Sequence, residues 1–164
     1  MTPAASPPRR GAPRPCRALR AAIALALAAL LPPGSAAAHE GALFLRGDVT
    51  VSSTWQGIVR LTGKVVIREG VTITVEPGTE VLVQPLADAD IVVRGRLLVR
   101  GRPDRPVLFD TAGGCRAGPW GGIVFEKGSA GILEHVRVHC AGKGVGGDLA
   151  NVRSTAVTVA PAGK

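Results

Sequence analysis

Four arginines, Arg94, Arg96, Arg100 and Arg102, are the side chains whose type and spacing best suit ligand recognition in this chain. They alternate with the apolar Val93, Leu97 and Val99, so an extended strand sends them to its outer side. Guanidinium groups grip carboxylates and phosphates with two parallel hydrogen bonds, which makes an acidic glycan or a lipopolysaccharide phosphate the ligand class they suit. Glu69, Glu76 and Glu80 interrupt the positive field, so a merely charged, soluble outer face is the favoured reading and a patch for such ligands the alternative.

The other candidate groups fall short of a site. Asp88 and Asp90 stand two apart, as calcium ligands on one side of a strand would, but one pair supplies too few of the six to eight oxygens calcium takes, so a solvated turn is expected. His135 and His139 flank Val136 and Val138 and are expected to project outward. Zinc needs a third and usually a fourth ligand, and the adjacent Glu134 faces the other way. Asp110 has no visible carboxylate partner for paired acid and base work. No catalytic residue, metal or cofactor is therefore predicted. Cys115 and Cys140 leave two readings open: a disulfide between neighbouring passes of the chain, or two partly buried thiols.

The element that must position these groups is a repeat. Val65, Ile67, Val71, Ile73, Val81 and Val83 recur 26 residues later as Ile91, Val93, Leu97, Val99, Val107 and Phe109. Most are β-branched, and within each cluster they stand two apart, the mark of short strands with one buried face. Turns at Gly63-Lys64, Glu69-Gly70, Glu76-Pro77-Gly78-Thr79 and Gly101-Arg102-Pro103-Asp104 separate them. A fixed period of this length with several strands inside it predicts a chain that winds and stacks on itself, not a hairpin barrel. At that period Arg68 stacks on Arg94, and Glu76 lies beside Arg102 as a cross-coil ion pair. The glycine-rich stretch Thr111 to Pro119 breaks the period, Trp120 restarts it, and Val152, Val157 and Val159 form a last, weaker pass. Trp55 and Trp120 each open a W-x-G-I step, and packing at a corner is expected of both in preference to sugar stacking.

Residues 1–38 read as a secretory signal peptide. Arg9, Arg10, Arg14, Arg17 and Arg20 form its basic region, Ala21 to Leu31 its apolar region, and Ala36-Ala37-Ala38 its cleavage site. The apolar run is too short for a spanning helix, so no transmembrane span is expected after cleavage. The segment holds five arginines and no acid, so residues 39–164 keep 15 basic and 12 acidic side chains and the net charge falls from +8 to +3. A nucleic-acid partner loses its support, and one domain in the secreted or periplasmic space is predicted.

Two segments carry a family likeness: GVTITVEPGTEV from Gly70 to Val81 and WGGIVF from Trp120 to Phe125. With IVVRGRLLVRGRPDRPVLFD between them, the stretch Trp55 to Val138 resembles the secreted right-handed parallel β-helix proteins of the pectin-lyase-like superfamily in its broad bacterial form. The resemblance implies an all-β, short, three-sided parallel β-helix of about five coils, near 4.8 Å of rise each, over residues 39–164. It implies no catalysis, since most members with this signature have no assigned reaction. The expected role is an exported, non-catalytic module with a structural or surface-binding task toward envelope or extracellular polysaccharide, acidic glycans above all. A polysaccharide lyase or hydrolase-like enzyme, or a degenerate fragment of one, is the alternative. Stacked coils leave unpaired edges, and Ala160-Pro161-Ala162-Gly163-Lys164 is a thin cover, so end-to-end self-association, or membership of a longer helix, is also expected.

Overall fold

Residues 41–86 and 88–160 are described by a computed structural model. The expected signal peptide and its cleavage site lie outside them. Alternation of apolar and polar residues gives twelve strands: β1 (Leu43–Val49), β2 (Ser53–Trp55), β3 (Ile58–Ile67), β4 (Thr72–Val75), β5 (Glu80–Val83), β6 (Asp90–Val93), β7 (Arg96–Arg100), β8 (Val107–Thr111), β9 (Gly122–Phe125), β10 (Ala130–His139), β11 (Val145–Gly147) and β12 (Val152–Ala160). The one helical element among the described residues is a 3-10 turn, Cys115–Ala117, inside the glycine-rich stretch.

The strands form one all-β sheet that does not close, and each pairing is parallel. Three ladders run through it. Ladder A joins residues 47–49, 65–67, 91–93, 123–125 and 145–147. Ladder B joins 43–45, 58–61, 80–83, 107–111, 136–138 and 157–160. Ladder C joins 53–55, 72–75, 96–100, 130–134 and 152–155. Along the chain they are visited in the fixed order B, A, C, so a segment leaving one ladder passes through the other two before it returns. The long strands β1, β3, β10 and β12 each serve two ladders. Parallel neighbours cannot be joined by a hairpin, and here the rest of the circuit supplies the crossover.

Inward positions form continuous apolar rows. Val59, Val81, Phe109 and Val138 stand opposite one another in ladder B, and Val65, Ile91 and Ile123 do so in ladder A; all seven are fully buried. Trp55 and Trp120 are buried as well, and the Trp120 indole Nε1 donates to the His139 carbonyl at 2.8 Å. Thr111 ends the row Leu61, Val83, Thr111 with a buried hydroxyl that has no hydrogen-bond partner.

All twelve residues of the sequence repeat are buried, but the period is not uniform. In ladder A, Val65 lies opposite Ile91, the expected 26 residues apart. In ladder C the spacing is 24, so Ile73 faces Leu97 and Val75 faces Val99. In ladder B it is 28, so Val81 faces Phe109 and Val83 faces Thr111. Turn lengths are the cause. Arg68 to Val71 make a four-residue turn between ladders A and C, whereas Arg94 and Gly95 alone make the next one. Eight residues then separate Val99 from Leu108, where four separate Val75 from Glu80. The expected partner of Glu76 changes accordingly: it follows Val75 into register with Arg100, while Arg102 sits in an exposed loop closed by reciprocal backbone bonds with Arg105 at 3.1 Å. No ion pair joins Glu76 to Arg102 among the described residues.

The two-residue turn depends on Gly95. A Cβ there would collide with the carbonyl oxygens of Val71 and Arg68, both fixed backbone. Gly128, in the next four-residue turn, has positive φ but open space around it. Gly95→Ala is expected to destabilise the domain by about 2 kcal/mol or more, and Gly128→Ala by about 1 kcal/mol. Urea denaturation followed by circular dichroism checks the order, and equal losses would contradict this account of the turn.

Candidate functional site

The short turn makes a recess. Arg94-Gly95 lies between two longer turns on the same corner, Arg68 to Val71 and Glu126 to Ser129, each closed by a backbone bond from its fourth residue to its first, at 3.1 and 3.0 Å. The two missing residues leave an open trough of about 930 Å³ between these ridges. Glu69, Thr72, Arg94, Arg96, Lys127 and Asn151 are the polar residues that line it. A shallower hollow of about 210 Å³ continues from it over the outer face of ladder C, sharing Arg96, Ala130 and Asn151 and adding Leu98, Ile132 and Arg153.

Of the four arginines singled out, the structure brings two together. Arg94 lines the trough with its guanidinium turned to Glu126, Nε to Oε2 at 2.8 Å and Nη2 to Oε1 at 3.3 Å. The hydrogen bond to Glu126 and then its negative charge raise the Arg94 pKa further above its usual value. Arg96 is exposed and takes part in none of the ion pairs among the described residues, nor do Lys127 and Arg153. Arg100 is exposed at the far end of β7, in register with Glu134, and Arg102 belongs to the 101–105 loop; neither lines the trough. Arg68 and Arg94 follow the register pair Ile67 and Val93, in keeping with the period of 26, and each pairs with its own carboxylate, Arg68 with Asp48 at 3.3 Å and Arg94 with Glu126.

Lys127, Asn151 and Arg153 escaped the sequence reading. Lys127 occupies the second place of Glu126-Lys127-Gly128-Ser129, whose pattern matches Glu76-Pro77-Gly78-Thr79, and in both the last hydroxyl donates to the first carbonyl, at 2.6 and 2.7 Å. That four-residue match was the available signal. Asn151 and Arg153 belong to the last pass, where the apolar pattern is too weak to set a register.

The remaining candidates separate. Asp88 is exposed, but Asp90 opens β6 as a buried carboxylate, contrary to the solvated turn expected of the pair. Lys143 Nζ lies 2.8 Å from Asp90 Oδ2, whereas Oδ1 has no hydrogen-bond partner. Gly121 makes room: a Cβ there would collide with Oδ1. His135 sits at a positive-φ kink within β10 as the strand passes from ladder C to ladder B, and His139 ends the strand with Nδ1 3.5 Å from Asp110 Oδ2. Asp110 thus has a partner, though not a carboxylate. Cys115 and Cys140 are disulfide-bonded with their Cα atoms 5.1 Å apart, and Asp110 Oδ1 lies 3.1 Å from Cys140 Sγ. With both thiols consumed in one bond, the grouping of Asp110, Cys115 and Cys140 is not a metal ligand set as it stands.

No family model matches the chain, and no curated protein or solved structure does. No helix among the described residues is long and apolar enough to cross a membrane.

Lys143 compensates a carboxylate that has little other support. Lys143→Met is expected to cost about 1–3 kcal/mol in urea denaturation, since it leaves Asp90 charged and buried. Adding Asp90→Asn should return part of that loss, and strict additivity of the two changes would show that the groups do not interact.

Proposed function

We propose that residues 41–160 form a short right-handed parallel β-helix of the pectin-lyase-like kind, exported from the cell, whose task is to bind an acidic polysaccharide without turning it over. The fixed order of ladders B, A and C supports the helix reading: each circuit lays one strand on each of three ladders, and five or six circuits stack. Gly70 to Val81 and Trp120 to Phe125, the segments of the family likeness, lie within it.

The single observation that carries the binding reading is the trough and its continuation across ladder C. Arg96, Lys127 and Arg153 offer cationic groups that no carboxylate of the described chain has claimed, spread over successive passes. An extended polyuronate presents carboxylates at regular intervals, and a multi-pass row of cations suits such a chain better than a compact anion. Thr72 and Asn151 add hydroxyl and amide groups for sugar hydroxyls.

A second reading has an observation of its own. Glu69, Arg94, Arg96 and Lys127 converge on one external groove, the kind of charged cluster a polyuronate lyase requires. In that reading Arg96 or Lys127 would take the proton beside the uronate carboxylate. The openness of the trough and the commitment of Arg94 to Glu126 favour binding over turnover.

Titration calorimetry with polygalacturonate and with a neutral glucan tests both readings. Binding of the first alone, weakened at least about tenfold in Arg96→Ala/Lys127→Ala, is expected, together with a fall in affinity as salt rises. Arg100→Ala should bind as the parent does. Release of unsaturated uronate, followed by ultraviolet absorbance, would favour the lyase instead.

Self-association at the ends belongs to the same proposal. Among the described residues β1 pairs with β3 alone and β12 with β10 alone, and Phe44 and Val159 are exposed at 64% and 43%. Light scattering after size exclusion is expected to give a mass that rises with protein concentration. A concentration-independent monomer would remove this part.

A further inference from the structure

We infer that the Cys115–Cys140 disulfide is a one-ended exchange site, attacked by external thiols at Cys115 alone, and that its opening releases the glycine-rich insertion from the ladders. The two sulfurs have opposite surroundings. Cys115 is exposed on the 3-10 turn of the insertion, and Cys140 is fully buried in the apolar core at the corner after β10. Thiolate attack runs along the S–S axis from behind the sulfur attacked, so Cys140 offers no approach while Cys115 does.

Asp110 reinforces this asymmetry. Its Oδ1 lies 3.1 Å from Cys140 Sγ and also accepts the Thr111 backbone N–H at 2.7 Å, which holds it in place. A carboxylate there repels an incoming thiolate at Cys140. It also disfavours negative charge on Cys140 when that sulfur leaves, so exchange at Cys115 is allowed but slow.

The balanced step is simple. A low-molecular-weight thiol loses its proton, and its thiolate forms a bond to Cys115 Sγ. The bond between Cys115 and Cys140 breaks, its electron pair goes to Cys140 Sγ, and the proton ends there. The Cys140 thiol can then donate to Asp110 Oδ1. One thiol is consumed, and the products are a mixed disulfide on Cys115 and a free Cys140.

The release follows from how the insertion is held. The amides of Gly114, Ala117 and Gly118 donate to Thr111, Gly114 and Cys115, all within the insertion or at its root. Ala112 is tied to Val83 and the Gly114 amide reaches back to Thr111 at the end of β8, so from Cys115 to Gly118 the disulfide is the one cross-link to the ladders among the described hydrogen bonds and bonds. Arg116 rides on this segment beside Cys115 and is exposed.

The test uses the folded chain and glutathione. After brief incubation, acid quenching and alkylation, trypsin places the two cysteines on separate peptides, residues 101–116 and 138–143, because Arg102 and Arg105 each precede proline. Glutathione is expected on the first peptide and the alkylating agent on the second. In Asp110→Asn the adduct should form about threefold faster or more. Brief native digestion should cut after Arg116 at least about tenfold faster once glutathione has reacted, and as fast in Cys115→Ser without it. An adduct on Cys140, equal adducts on both, or an unchanged cut at Arg116 would overturn the inference.

Discussion

Everything in this domain depends on parallel backbone pairing between strands one full circuit apart. A parallel strand cannot borrow its neighbour in sequence for its ladder bonds, so each segment must find partners in the previous and the following pass. That requirement stacks equivalent positions on one another and makes the inward alternate residue apolar in pass after pass, as in the row Val59, Val81, Phe109 and Val138. It makes no comparable demand on the turns, where a residue more or less changes the outer surface and leaves the interior intact.

The chain's chemistry is found where that freedom is used. The trough exists because Arg94-Gly95 is two residues shorter than the turns on either side of it, and the exchangeable disulfide lies in an insertion between ladders B and A. The carboxylates Asp90 and Asp110 stand where regular strands meet irregular segments, and their partners come from later passes, His139 one pass after Asp110 and Lys143 two passes after Asp90. Polar groups thus tie passes together from outside while the apolar rows hold them from within, and a buried charge such as Asp90 is tolerable because Lys143 reaches it.

This division explains what was legible in the sequence. Alternation of β-branched residues identified all twelve members of the repeat as core, because burial follows from the period-two pattern alone. The outward position of Arg96 and Arg100 followed from the same alternation. Lys127 was not legible by that route, since it lies on a turn, where alternation carries no information. Asp90 was misread for a related reason. Its burial depends on the empty space at Gly121 and on a lysine 53 residues away, neither of which an apolar period reports.

The mistaken register in ladder C shows where pattern reading loses its power. Pairing Val71 with Leu97 and pairing Ile73 with Leu97 differ by two residues, and a two-residue slip keeps every side chain on its own side of the sheet. Hydrophobic burial is therefore nearly blind to the choice. Backbone detail decides it: in the observed register the amides of Arg94 and Gly95 both reach the Ile67 carbonyl, at 2.9 and 3.2 Å, and the Arg96 amide reaches that of Val71 at 2.9 Å. So tight a corner admits no side chain at its second position, and glycine stands there. The glycine selects the register, the register shortens the turn, and the short turn opens the trough, so the position that most shapes this surface carries no functional group of its own.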